Sequence, residues 1–213
     1  MPVRDCFLIL LLSACLLMGF GASARVQAEK NAGGTSAVRS GNDTGMSIAR
    51  AARQQIGVTT TYDPAYRSIA YPNGDVPAER GVCTDVLIRA LRSGPGMDLQ
   101  ELINEDMRGN FKKYPAKWGL KAPDTNIDHR RVANLMTYFE RRGYSVPISK
   151  NAADYRAGDF IACIVPPGLP HIMIVSDRKS PSGQPLIIHN IGAGTKEEDR
   201  LFEFPITGHY RIR

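Results

Sequence analysis

The spacing of apolar residues changes once along this chain, and that change limits the fold more than any other feature. Before Gly143 the apolar residues recur at helical spacing. Val86, Leu87 and Ala90 form one set, Leu99, Leu102, Ile103 and Met107 a second, and Val132, Leu135, Met136 and Phe139 a third. A shorter small-residue face, Ile48, Ala49, Ala51 and Ala52, predicts a helix over 46–55. After Gly143 the apolar residues fall in short runs bounded by turn residues, predicting strands at 160–165, 171–176, 186–190, 201–204 and 209–212. Helices first and consecutive strands second predict an α+β fold, with N-terminal helices packed on an antiparallel β-sheet.

The first 28 residues stand apart from this pattern. Arg4 precedes an uncharged apolar run, and Ala22-Ser23-Ala24 and Val26-Gln27-Ala28 each fit a small-x-small cleavage site. These features predict a signal peptide over 1–28 and an exported protein, periplasmic or secreted. Leu12-Ser13-Ala14-Cys15 also resembles a lipobox, which would make a lipoprotein held to the membrane through Cys15. The apolar run that follows at once, Leu16-Leu17-Met18, favours ordinary cleavage. Residues 29–45 are rich in Gly, Ser, Ala and Asn and read as a flexible linker, leaving a single domain over 46–213. Hydrophobic and charged contents of 43% and 23% exclude a disordered chain. Cleavage would lower the net charge from +6 to +5, a mild basicity that suits an anionic polymer or surface. Export and the lack of a recognition motif exclude nucleic acid as the expected partner.

Chemistry concentrates at Arg80-Gly81-Val82-Cys83-Thr84-Asp85, where a loop turns into a helix. A cysteine is most often a small buried hydrophobe. At a helix N-terminus it also meets the positive end of the macrodipole, which favours the thiolate and is expected to lower its pKa. Such a nucleophile needs a base and a group that orients the base. His171 opens one predicted strand and His189 ends the next. An antiparallel hairpin brings those two positions to the same end of the sheet. Asn190 is a rival for the orienting role, because adjacent strand positions face opposite sides. Cys163 lies inside an apolar strand and reads as a buried thiol. No His-x-x-x-His or Cys-x-x-Cys spacing supports a metal, and no cofactor is expected.

Gly-Val-Cys83 at a helix start, His171-Ile-Met-Ile-Val, and Ile-His189 together resemble the papain-like cysteine hydrolases of the NlpC type. Those are exported bacterial enzymes that cut peptide or amide bonds in peptidoglycan. The chain more closely resembles a bacterial family of unknown function within that superfamily, through Gly-Val-Cys-Thr-Asp, Asn-Ile-Asp-His-Arg-Arg, His-Asn-Ile-Gly and Ile-Thr-Gly-His-Tyr-Arg, over about 48–213. The resemblance implies a papain-like fold, Cys83 as nucleophile, His171 as base, His189 as its orienting partner, and a peptidoglycan stem peptide as substrate. Tyr71 precedes Cys83 by about the interval at which that superfamily places an active-site tyrosine. Thr84-Asp85 departs from the Ser-Gly that usually follows the cysteine, which bears on the substrate. The thioester equally serves an acyltransferase or transglutaminase-type reaction, and a noncatalytic wall-binding module is a third alternative. Arg130 and Arg131 are candidates to clamp a substrate carboxylate. A monomer is expected.

Overall fold

The computed structural model describes residues 33–212, and the side chains of residues 43–212. The expected signal peptide, Cys15 and the start of the linker lie outside the described residues. Among the described residues there are four α-helices, α1 (Gly33–Arg53), α2 (Cys83–Ser93), α3 (Leu99–Asn110) and α4 (Val132–Arg141). Seven strands accompany them: β1 (Thr61–Tyr62), β2 (Arg80–Gly81), β3 (Phe160–Val165), β4 (Leu169–Lys179), β5 (Pro185–Asn190), β6 (Thr195–Glu198) and β7 (Ile206–Tyr210). β1 and β2 form a small parallel pair. The other five make one antiparallel sheet in the order β6-β5-β4-β3-β7.

Strand alternation divides the sheet into two faces. Phe160, Ala162, Ile172, Ile174 and Ile188 point toward the helices and join a core with Leu87, Leu91, Leu135 and Phe139. Each large side chain so buried contributes on the order of 1.5–3 kcal/mol. The opposite face carries Ile161, Cys163, Met173, Val175 and Ile187, covered by Tyr155, Leu201 and Phe204. The α2 helix lies at the centre, against α1 on one side and β4 and β5 on the other.

Three local expectations differ from the structure. The stretch read as a linker is helical from Gly33 onward, as part of α1. Gly45 is a packing residue in that helix. A Cβ there would lie 2.2 Å from the Ala157 oxygen, and one on Gly158 would lie 2.3 Å from the Gly45 oxygen. The glycine therefore lets α1 press on the turn that enters β3. Residues 201–204 are a turn, and Leu201 and Phe204 are buried because they cap the outer sheet face. The neighbouring strand is instead β6, whose sequence Thr-Lys-Glu-Glu has the charged composition of a protected edge. Finally, the third helical set predicts a helix over about 128–142, whereas α4 begins at Val132 and 128–130 form a separate 3-10 turn.

Candidate active site

Cys83 is the first residue of α2, and its sulphur is buried. The N–H groups of Cys83 and Thr84, in the first helical turn where no carbonyl precedes to accept them, face the sulphur, as does the backbone N–H of Ile172, the residue after His171. These donors favour the thiolate, but burial outweighs them and pushes the thiol up to about 11. The expected depression of the Cys83 pKa is thus reversed, because desolvation exceeds the helix-end field.

The tight loop before Cys83 is shaped by Asp85. Asp85 accepts from the Val82 N–H at 2.7 Å and from Arg130 Nε and Nη2 at 2.8 and 2.9 Å. Gly81 permits this closeness, since a Cβ there would meet Asp85 Cβ at 3.0 Å. Thr84 Oγ1 donates to the Arg130 carbonyl at 3.1 Å. Thr84-Asp85 and Arg130 therefore form one packed unit. Arg130 also donates to the carbonyls of Ala65 and Asp63 at 3.2 and 3.3 Å, fixing the segment that follows Tyr62.

The structure brings His171 and His189 together. His171 Nε2 and His189 Nδ1 are 2.8 Å apart, and His189 Nε2 is 2.9 Å from Glu198 Oε2. The carboxylate can only accept, so His189 carries its proton on Nε2 and accepts at Nδ1. His171 then carries its proton on Nε2, which leaves Nδ1 as its lone pair. No hydrogen bond to His171 Nδ1, and none between that ring and Cys83, exists among the described residues. Burial lowers His171 to about 3, with the neighbouring His189 adding to the effect, so the ring is neutral at pH 7. Burial also lowers His189, although Glu198 opposes this. The resting site is thus a neutral thiol beside a neutral imidazole relay.

The remaining candidates separate cleanly. His189, not Asn190, bonds His171. Asn190 instead donates from Nδ2 to the Gly81 oxygen at 3.0 Å, which ties the end of β5 to the cysteine loop. Tyr71 is 41% exposed and its hydroxyl lies 3.3 Å from Asn104 Oδ1 on α3. It does not line the cleft of about 300 Å³ that contains Cys83. The tyrosine in that cleft is Tyr62, raised to about 12 by burial and by the adjacent Cys83 and Asp85. Arg130 is committed to Asp85 with both side chains buried, so its guanidinium is closed to a substrate carboxylate. Arg131 lines the cleft and remains partly open. Cys163 is buried on the outer face and raised to about 12 by desolvation. Both Cys83 and Cys163 are free thiols.

Sequence reasoning missed Glu198 and Tyr62. Glu198 sits in a polar edge strand with no apolar alternation. Thr59 to Tyr62 has strand composition, but nothing local marks its pairing with Arg80-Gly81, which brings Tyr62 beside the cysteine loop. Among the described residues, no cluster of three or more His, Cys, Asp and Glu side chains is arranged to hold a metal ion. No described helix is long and apolar enough to cross a membrane.

The family described as "Domain of unknown function (DUF1287)" matches residues 49–212. The chain belongs to the DUF1287 family. It is 58% identical over 169 residues to the uncharacterized protein YijF of Escherichia coli (strain K12), covering 79% of this chain and 82% of that protein. Among solved structures, an N-acetylmuramoyl-L-alanine amidase from Bacteroides uniformis ATCC 8492 is similar with a TM-score of 0.50 at 10% identity, covering 80% of this chain and 99% of that one. At that identity the likeness is one of fold. It places this DUF1287 chain on an α+β frame also used by an amidase.

Proposed function

We propose that this chain is an exported cysteine hydrolase of papain-like, NlpC-type architecture that cleaves an amide or peptide bond in peptidoglycan. The observation that carries the reading is the relay Glu198–His189–His171, which holds a lone pair on His171 Nδ1 one residue from the N–H that faces the Cys83 sulphur. That unpaired ring nitrogen is the atom with which a general base would take the thiol proton.

In this reading His171 Nδ1 takes the Cys83 proton as the sulphur attacks the carbonyl carbon. His189 and Glu198 stabilise the imidazolium that forms, because the His171 Nε2–H already points at an acceptor backed by a carboxylate. The negative charge on the former carbonyl oxygen is met by N–H donors at the start of α2, with the Tyr62 hydroxyl as a further donor. His171 then protonates the leaving nitrogen, the C–N bond breaks, and an acyl-thioester remains. Water attacks the thioester carbonyl and gives a proton to His171. The C–S bond breaks, the proton returns to sulphur, and a carboxylic acid and an amine have formed. A neutral resting pair requires proton transfer with attack rather than before it, which fits a thiol raised to about 11.

The likeness of fold to a structure titled as an N-acetylmuramoyl-L-alanine amidase supports the substrate class, as does the signal peptide proposed for residues 1–28. The test is to digest purified peptidoglycan with the full chain lacking its leader and to identify the fragments by mass spectrometry. Intact mass of the protein reports the acyl-enzyme. Fragment release by wild type and none by Cys83→Ala is the expected result. An acyl-enzyme that passes its acyl group to an added amine and never to water would move the assignment to acyl transfer. No fragment and no acyl-enzyme, with Cys83 reduced, would remove catalysis altogether.

A further inference from the structure

Between α3 and α4 lies a second hollow, of about 260 Å³, that the proton relay does not use. It adjoins the Cys83 cleft, because Trp118 and Arg131 line both. Two cations stand over the Trp118 ring, Arg131 Cζ at 4.2 Å and Lys117 Nζ at 4.9 Å from its centroid. Contact with the aromatic face holds the guanidinium in place. Arg131 makes one side-chain hydrogen bond, from Nη1 to Asp128 Oδ1 at 2.8 Å. Among the described residues its Nε and Nη2 donate to nothing. Those two atoms form one edge of the guanidinium, the edge that receives a carboxylate bidentately. The neighbouring Arg130 differs on this point, since its Nε, Nη1 and Nη2 all find protein acceptors.

The rest of the hollow has a matching character. Lys112 lines it and, like Lys117 on the cleft side, forms no ion pair among the described residues. Met107, Phe111 and Leu120 supply an apolar wall. Asn134 also lines it, and its buried Oδ1, an acceptor with no hydrogen-bond partner, suits a peptide N–H rather than the carboxylate itself. Asp128 already carries one negative charge beside Arg131, which disfavours a doubly charged anion such as phosphate and suits a single carboxylate.

We propose that this hollow is the subsite that selects substrate. It takes a peptide residue with a free carboxylate, next to the amide presented to Cys83. The carboxylate sits on Arg131 Nε and Nη2 with support from Lys112 and Lys117, and the aliphatic part of the residue lies on Met107, Phe111 and Leu120. The inference rests on the hydrolase reading for the neighbouring amide, but its binding chemistry is measurable without turnover.

Trp118 is the single tryptophan of the chain, so its fluorescence reports on this subsite without a label. The experiment titrates the Cys83→Ala protein with N-acetyl-alanyl-leucine and with the same peptide carrying a C-terminal carboxamide. The acid is expected to bind about 10- to 100-fold more tightly, the value of one charge-assisted hydrogen-bonded pair. Arg131→Gln should erase that preference. A Lys112→Ala/Lys117→Ala double variant alters only exposed side chains and should reduce it about 3- to 10-fold, in case Arg131→Gln fails to fold. Equal binding of acid and amide overturns the proposal, and so does an acid preference that survives in both variants. If wild type hydrolyses no amide while Cys83→Ala keeps its acid preference, the hydrolase reading falls and the subsite stands. If wild type cleaves acid- and amide-terminated substrates equally, the subsite falls and the hydrolase reading stands.

Discussion

Replacing Arg130 by Met is expected to damage this protein more than any other exchange of one arginine. The guanidinium and the Asp85 carboxylate are each 3% exposed and meet through two hydrogen bonds of 2.8 and 2.9 Å. Met keeps much of the side-chain volume and removes the charge, leaving the Asp85 carboxylate buried with the Val82 N–H as its remaining donor. An uncompensated buried charge costs about 3–5 kcal/mol. Total stability for a domain of this size is about 5–15 kcal/mol, so the loss is a large fraction of it. For 150–250 residues each 1 kcal/mol moves Tm by about 2–4 °C, which gives a fall of roughly 6–20 °C. Urea melts of wild type, Arg130→Met, Asp85→Leu and the double variant form the assay. The double variant should be more stable than Arg130→Met, because two apolar groups leave no orphan charge. The cysteine loop provides a second readout. With Asp85 no longer held, the Val82 N–H loses a fixed acceptor, and activity should fall further than stability accounts for. An Arg130→Met protein within about 0.5 kcal/mol of wild type, a scatter typical of surface exchanges, would refute the reasoning.

Burial, with Arg130 adding to it, lowers His129 to about 4. Between about 6.5 and 4 the unfolded chain binds a proton that the folded one refuses, so stability is full above pH 6.5 and declines as pH falls. The decline from this residue amounts to about 3 kcal/mol by pH 4. Urea midpoints at pH 7, 5.5 and 4.5 check this, and a flat profile would contradict it. The raised thiols predict that iodoacetamide labels Cys83 ever faster from pH 7 to 10, with Cys163 slower throughout; a rate that levels off below pH 7 would show an ion pair instead. Glu198→Ala should lower kcat/KM by about 10-fold or more and shift its pH profile, with Glu198→Gln largely restoring both, since the amide oxygen still accepts from His189. Nitrogen NMR of the His171 and His189 rings reads the tautomers directly, and an unchanged pattern in Glu198→Ala would sever Glu198 from the relay.

What could be read from the residues alone divides along physical lines. The start of α2 at Cys83 and the strands β3, β4 and β5 follow from local period and turn chemistry, and they fall where the pattern places them. The His171–His189 pairing followed from hairpin geometry. Arg130 reads as a clamp for a substrate carboxylate because its real partner, Asp85, lies 45 residues away and a buried ion pair leaves no mark in local sequence. Tyr71 is a candidate on its interval from Cys83 alone. The pairing of β1 with β2 that brings Tyr62 to the cleft is only two residues long and spans a nonlocal loop. The β6 strand escaped because charge on an edge is what keeps it from pairing with another molecule, and that same charge hides it.

The edge position of β6 has a consequence for how the site is held in tension. This strand has a single neighbour, β5, yet it carries Glu198, the last member of the relay. Its first residue, Thr195, donates its N–H to the Thr59 oxygen at 2.8 Å, three residues before Tyr62. A Cβ on the preceding Gly194 would lie 2.8 Å from that same oxygen, so the two segments touch backbone to backbone. The Tyr62 side of the cleft and the strand that carries Glu198 thus share one mooring. A force that lifts the tyrosine segment therefore pulls on the strand whose Glu198 holds His189.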